Sequence, residues 1–145
     1  MFKSIVVGTD GSDTAKEAVS RAAELARATG AVLGIVSAYR PVNDARLDRE
    51  RKDVPDDLQW MINPCEDVER LLSEAATTAD GVKTETHSVE GDPADALLDV
   101  AEEQKADLIV VGNKGMTGAS RFVLGSVPNK VSHHAPCSVI IIRTT

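Results

Sequence analysis

The chain has 145 residues, of which 42% are apolar and 27% are charged, and its formal net charge is −7. These values predict one soluble domain over residues 1–145, whose core is large enough to need no disulfide or metal. The acidic charge and the lack of a long apolar run argue against a nucleic-acid partner, a membrane partner and a secretory signal, so we expect a cytoplasmic protein.

The first elements are a buried strand and an alanine-rich helix. The strand is predicted over residues 2–8 and is closed by a Gly-Thr-Asp-Gly turn. The helix is capped either by Ser12 or by Thr14, which fits a capping box with Glu17. Gly30 is expected to end the helix in a left-handed conformation.

A second buried strand is predicted over residues 31–39, and the regular alternation then stops. Residues 40–63 are rich in charged side chains and contain the only tryptophan, Trp60. A segment of this length and charge is either functional or disordered. We expect a flap that nucleotide orders or, equally, a short solvated helix packed on the domain.

The alternation of helices and strands resumes after this charged segment. Asn63 is expected to cap a helix, and a less regular strand over residues 82–90 is expected near a sheet edge. Asp92 then caps a helix that runs to about Gln104.

The last third of the chain contains two strands and one helix. A fourth strand over residues 108–111 is closed by Gly112, and a stretch punctuated by glycines follows to Gly125. A helix is predicted over residues 126–134 and a fifth strand over residues 138–142.

The strict alternation of strands and helices predicts the fold class. It predicts a single-domain, Rossmann-like, open parallel five-stranded sheet with helices on both faces. Among such sheets we expect the strand order 3-2-1-4-5, in which the sheet reverses direction between the first and fourth strands. Residues 5–11 and 109–115 also resemble each other. In this strand order both glycine turns border one crevice, where open α/β sheets bind ligands.

The glycine segment, residues 112–126, carries the most informative chemistry. Its pattern is Gly112-x2-Gly115-x9-Gly125-Ser126. Glycines allow a phosphate to approach the backbone closely. The helix that follows offers unpaired N–H groups, and Ser126 can either cap this helix or donate its hydroxyl to a phosphate oxygen. Neither a P-loop nor a G-x-G-x-x-G pattern occurs, so spacing alone fits a phosphate site and plain turns equally well.

Four stretches of the chain carry a resemblance to a known family. They are IVVGTDGS at residues 5–12, DLIVVG at 107–112, the glycine segment together with LGSV at 124–127, and HAPCSV at 134–139. The chain resembles the universal stress protein family over its whole length, and the glycine segment matches the pattern of its ATP-binding branch. The resemblance implies an adenine nucleotide alpha hydrolase-like fold with ATP or another adenine nucleotide as ligand.

The resemblance also implies roles by position. Asp10 reaches the ribose or a divalent metal, taken as Mg²⁺, with Thr9 and Gly11 beside it, and Ala38 meets adenine through its backbone. The remaining contacts to ribose and phosphates are assigned to Gly112, Asn113, Lys114, Gly115, Met116, Gly125, Ser126 and Val127.

The expected function is that of a nucleotide-dependent stress-response regulator without catalytic residues. The alternatives are a slow ATPase or autophosphorylating enzyme, an AMP or cyclic-nucleotide binder, and an interaction module that no longer uses nucleotide. We also expect a homodimer. Residues 138–142 are unusually apolar for an edge strand, which needs cover or pairing, and the resemblance implies pairing with a second copy.

Overall fold

The computed structural model describes residues 1–39, 65–113 and 124–144. Its five strands form one fully parallel sheet in the order β3-β2-β1-β4-β5, so the predicted fold class and strand order are confirmed. The charged segment, residues 40–63, lies outside the described residues. The strands are β1 (Ser4–Gly8), β2 (Val32–Tyr39), β3 (Thr84–Glu90), β4 (Leu108–Gly112) and β5 (Ser138–Ile142), and the described helices are α1 (Asp13–Thr29), α2 (Cys65–Thr77), α3 (Pro93–Glu103) and α4 (Ser126–His134).

The ends of α1 follow from two local interactions. The Ser12 hydroxyl accepts a hydrogen bond from the Ala15 amide at 3.2 Å, so Ser12 is the N-cap. Thr14 already lies inside the helix, and the alternative in which it caps the helix is therefore wrong. Gly30 adopts φ +75° and ends α1 as predicted.

The start of α3 also agrees with the sequence. Asp92 has extended backbone angles, and its carboxylate accepts from the Asp95 amide at 3.1 Å. Pro93 is the first helical residue, where its missing N–H costs no hydrogen bond. β3 lies at one edge of the sheet, and all its residues are exposed or half-buried, which agrees with the predicted edge position.

Helices cover both faces of the sheet and bury two separate apolar clusters. Helices α1 and α2 pack on one face, and α3 and α4 pack on the other. Small alanines dominate the buried stripe of α1, which allows the helix to approach the sheet closely. The innermost side chains of the two clusters include Ile5, Leu33, Ile35, Leu97, Leu108 and Ile109.

β5 forms the second edge of the sheet, beside β4. Its residues are only partly covered, and Ile141 is 40% exposed. None of the helices in the described ranges combines the length and the apolarity needed to cross a membrane.

Candidate functional site

The carboxyl ends of β1 and β4 lie side by side, at the point where an open α/β sheet forms its ligand-binding crevice. The two strands pair in register from Ile5 opposite Leu108, and each ends in a glycine. A Cβ on Gly112 would come 3.9 Å from the Thr14 carbonyl oxygen in the first turn of α1. The two predicted glycine turns are therefore neighbours at the point where the sheet order reverses.

The turn after β1 is held by three hydrogen bonds. Buried Thr9 donates its amide to the Val36 carbonyl at 2.9 Å, and its hydroxyl accepts from the Gly11 amide at 3.2 Å. Asp10 Oδ1 accepts from the Ser12 amide at 2.8 Å. Among the described residues this bond uses only one carboxylate oxygen of Asp10, so Oδ2 remains for a ligand or a cation.

Gly11 is required by the fold as well as by its place in the predicted site. Its φ of +82° is rarely adopted by residues with a side chain. A Cβ there would also come 2.7 Å from Leu71 Cδ1 on α2. Gly11 therefore shapes the turn and lets α2 pack against it.

Gly125 and Ser126 start α4 in a way that differs from the sequence-based expectation. Gly125 is the N-cap residue, with φ −64° and ψ 167°, and makes no side-chain cap. The backbone at position 125 therefore does not require glycine for a positive φ. Ser126 is the first residue of the helix and does not cap it. Gly125 is buried, and the first-turn N–H groups of exposed Ser126 and half-buried Val127 have no side-chain cap.

Asn113 joins the two ends of the glycine segment. Its carbonyl oxygen accepts from the Gly125 amide at 3.1 Å, and its own amide donates to Ile142 at 2.9 Å. Its side-chain Oδ1 accepts from both the amide (2.8 Å) and the hydroxyl (3.1 Å) of Thr144. Asn113 was predicted as a nucleotide contact, and no sequence signal pointed to Thr144, because the two residues are 31 positions apart.

The other predicted site residues divide into two groups. Ala38 is buried at 8% exposure near the carboxyl end of β2, two residues beyond the Val36 carbonyl that holds Thr9. It lies opposite Val89 of β3. Lys114, Gly115 and Met116 lie outside the described residues.

A charged cluster ties α4 to the start of α3. Lys130 Nζ lies 2.8 Å from Asp95 Oδ1 and 3.6 Å from Asp92 Oδ2. The hydrogen bond to Asp95 is the main reason that the pKa of Lys130 is raised. The side chains are about half exposed, so this cluster orients α4 more than it stabilises the fold.

The chemistry of the crevice suits an anion. The first turns of α1 and α4 both present their positive ends there. Asp10 is a single carboxylate, which fits Mg²⁺ only when phosphates and water supply the other ligands. Within the described residues no three acidic, histidine or cysteine side chains gather to hold a metal by themselves.

Comparison with known proteins gives a consistent result. The family model described as the universal stress protein family matches residues 1–143. Universal stress protein Rv1636 of Mycobacterium tuberculosis is 39% identical over 99% of this chain and 98% of its own length. A universal stress protein solved in complex with cAMP is 35% identical, with a TM-score of 0.75 over 99% of this chain and 98% of its own. The universal stress protein from Archaeoglobus fulgidus in complex with dAMP is 28% identical, with a TM-score of 0.67 over 97% of each chain.

Proposed function

This chain belongs to the universal stress protein family, and we propose that it binds an adenine nucleotide, with ATP preferred, in the crevice between β1 and β4. The observation that carries the proposal is the meeting of two helix N-termini there. Gly112 brings the end of β4 beside the first turn of α1, and the bond from Gly125 to Asn113 brings the start of α4 to the same place. Such a pair of helix ends favours a polyanion.

Each part of the nucleotide has a proposed location. Adenine lies against the backbone at Ala38, whose buried apolar surroundings suit an aromatic base. The phosphate oxygens accept hydrogen bonds from the first-turn N–H groups of α4 and from the hydroxyl of Ser126. Asp10 would supply the protein ligand to Mg²⁺, because a single carboxylate binds this ion together with phosphate oxygens and water.

ATP is preferred over a monophosphate because two helix N-termini, each with a partial positive charge, meet in the crevice. The relatives solved with cAMP and dAMP support the adenine nucleotide class, since both ligands share adenine, a sugar and one phosphate. One helix N-terminus is enough for one phosphate. Two of them, together with a carboxylate that holds Mg²⁺, match a triphosphate better.

We propose that the bound nucleotide sets the state of a cytoplasmic, stress-responsive regulator that turns ATP over slowly or not at all. In the described turns, the only carboxylate is Asp10, which the proposed role commits to the metal. Mass spectrometry of the purified native protein would identify the nucleotide that copurifies. Single-turnover assays with labelled ATP then separate a binder from a slow ATPase or an autophosphorylating enzyme. Recovery of the protein without nucleotide, and with no affinity for ATP, would contradict the proposal.

The protein is further proposed to act as a homodimer joined through β5. The outer edge of this strand is open in the single chain, and the half-exposed Ile141 lies on it. An apolar edge of this kind is stabilised when a second copy pairs with it about a two-fold axis.

A further inference from the structure

We propose that Asn113 is a positioning residue that acts through Thr144: its side-chain Oδ1 fixes the base of the glycine segment to the residues that follow β5. This inference rests on the proposed function, because it assigns a role within that nucleotide site. Asn113 was predicted to contact the nucleotide, whereas here its side-chain oxygen contacts Thr144.

The hydrogen bonds of Asn113 explain why its side-chain oxygen is committed to the protein. The carbonyl oxygen of an amide side chain can accept two hydrogen bonds. Both acceptor positions of Oδ1 are used by Thr144, one by its amide at 2.8 Å and one by its hydroxyl at 3.1 Å. Two bonds to one neighbour fix the plane of the Asn113 side chain.

The main chain of Asn113 is held at the same time on two other sides. Its amide donates to the Ile142 carbonyl at 2.9 Å, and its carbonyl accepts from the Gly125 amide at 3.1 Å. Gly112, the preceding residue, packs beside the same threonine, since a Cβ there would lie 3.7 Å from Thr144 Cγ2. Asn113 therefore connects three parts of the chain: the end of β4, the start of α4 and the end of β5.

This connection matters for binding because the start of α4 supplies the proposed phosphate contacts. A site whose donors are already in place loses less conformational entropy when the ligand binds, so its affinity is higher. Without the bonds from Thr144, Asn113 can rotate, and the bond that places Gly125 becomes weaker. The anchor for the nucleotide site thus lies at the outer edge of the sheet, outside the crevice.

Four variants test the inference by calorimetry with ATP and Mg²⁺. Thr144→Pro removes both donors, the amide and the hydroxyl, and Asn113→Ala removes the acceptor. The double variant removes donors and acceptor together, and Thr144→Ser keeps both donors. We expect Thr144→Pro and Asn113→Ala each to weaken ATP binding by about tenfold through lost preorganisation, and the double variant to be no weaker than Asn113→Ala. Thr144→Ser should bind as the wild type does. Hydrogen exchange at the Gly125 amide should be faster in the same variants that lose affinity.

The possible outcomes distinguish this inference from the proposed function. Wild-type affinity in a folded Thr144→Pro variant, or losses that add in the double variant, would show that Asn113 acts independently of Thr144 and would overturn the inference. If Thr144→Pro does not fold, Thr144→Ala removes only the hydroxyl bond; its affinity must then lie between those of the wild type and Asn113→Ala. A wild-type protein that binds no ATP overturns the proposed function and this inference with it.

Discussion

Thr9 donates its backbone amide to the carbonyl oxygen of Val36 at 2.9 Å. This bond joins the turn after β1 to β2 two residues before Ala38. One hydrogen bond between neighbouring strands therefore connects the two sides of the crevice. The metal is proposed on one side, at Asp10, and adenine on the other, at Ala38.

Asp10→Asn should remove the effect of Mg²⁺ on ATP binding. Asparagine keeps the oxygen that accepts from the Ser12 amide, so the turn should persist while the negative charge is lost. Loss of a metal contact worth about 1.4 kcal/mol corresponds to a tenfold weaker affinity. Calorimetry with Mg²⁺ and with EDTA measures the effect, and Asp13→Asn in the first turn of α1 removes a nearby charge as the control. A variant that still binds more tightly with Mg²⁺ would exclude Asp10 as the metal ligand.

Gly125→Val should weaken ATP binding severely in a domain that remains folded. The backbone angles of Gly125 are open to valine, so the cost arises from branched side-chain atoms in the space proposed for phosphate. A clash of about 3 kcal/mol reduces affinity roughly 100-fold. Ser132→Val, at an exposed position of the same helix, adds a similar side chain away from the site. Equal ATP affinities in the wild type and a folded Gly125→Val variant would disprove this site assignment.

The sequence was sufficient for the fold because its signals are local and consistent. Buried apolar runs gave the strands, and Ser12, Gly30 and Asp92 gave helix ends that agree with the structure. The alternation of strands and helices then indicated a parallel sheet, as observed, but did not by itself determine the strand order. Charged residues 40–63 and the central part of the glycine segment offered no comparable pattern, and predictions about them remain predictions.

The site was predicted less completely because its contacts join residues distant in sequence. Glycine spacing identified the turns but not the reasons for each glycine: Gly11 is required by φ and by Leu71, whereas Gly125 is not required by φ. The pairing of Asn113 with Thr144 depends on how the end of β5 lies beside the end of β4. No local pattern in the sequence encodes that contact.

Ile141→Lys should convert the proposed homodimer into a monomer. A lysine on the open edge of β5 places a charge where an apolar strand is expected to pair with its twin. Light scattering at micromolar concentration, with and without ATP, measures the mass. The matched control is Thr86→Lys, because Thr86 is exposed on β3, the opposite edge strand. This variant should leave the mass unchanged. A wild-type protein that is monomeric under both conditions would refute the dimer.

Asp107→Asn should destabilise the protein at neutral pH but have a smaller effect in acid. The Asp107 carboxylate accepts from the Lys3 amide at 2.7 Å and from the Ser4 amide at 3.0 Å, and these bonds lower its pKa below 3.8. A lowered native pKa means that the unfolded state binds protons more readily. The stabilisation is therefore present above pH 3.8 and is lost as pH falls through the native pKa.

Urea unfolding at several pH values tests the role of Asp107. The difference in the free energy of unfolding between wild type and Asp107→Asn should shrink as the pH is lowered below about 4. Asp99→Asn on the exposed face of α3 is the control. A difference that stays constant with pH would show that the ionised form of Asp107 is not the stabilising one.

The most direct test of nucleotide binding in the crevice is an NMR titration of the isotope-labelled protein with ATP and Mg²⁺. We predict saturable shifts of the backbone amides at residues 9–12 and of Asn113, Gly125 and Val127. Amides at the opposite end of the sheet, such as those of Val32 and Thr84, should change little. Saturable shifts confined to another surface, or no shifts at millimolar ATP, would contradict the proposal that this chain binds nucleotide between β1 and β4.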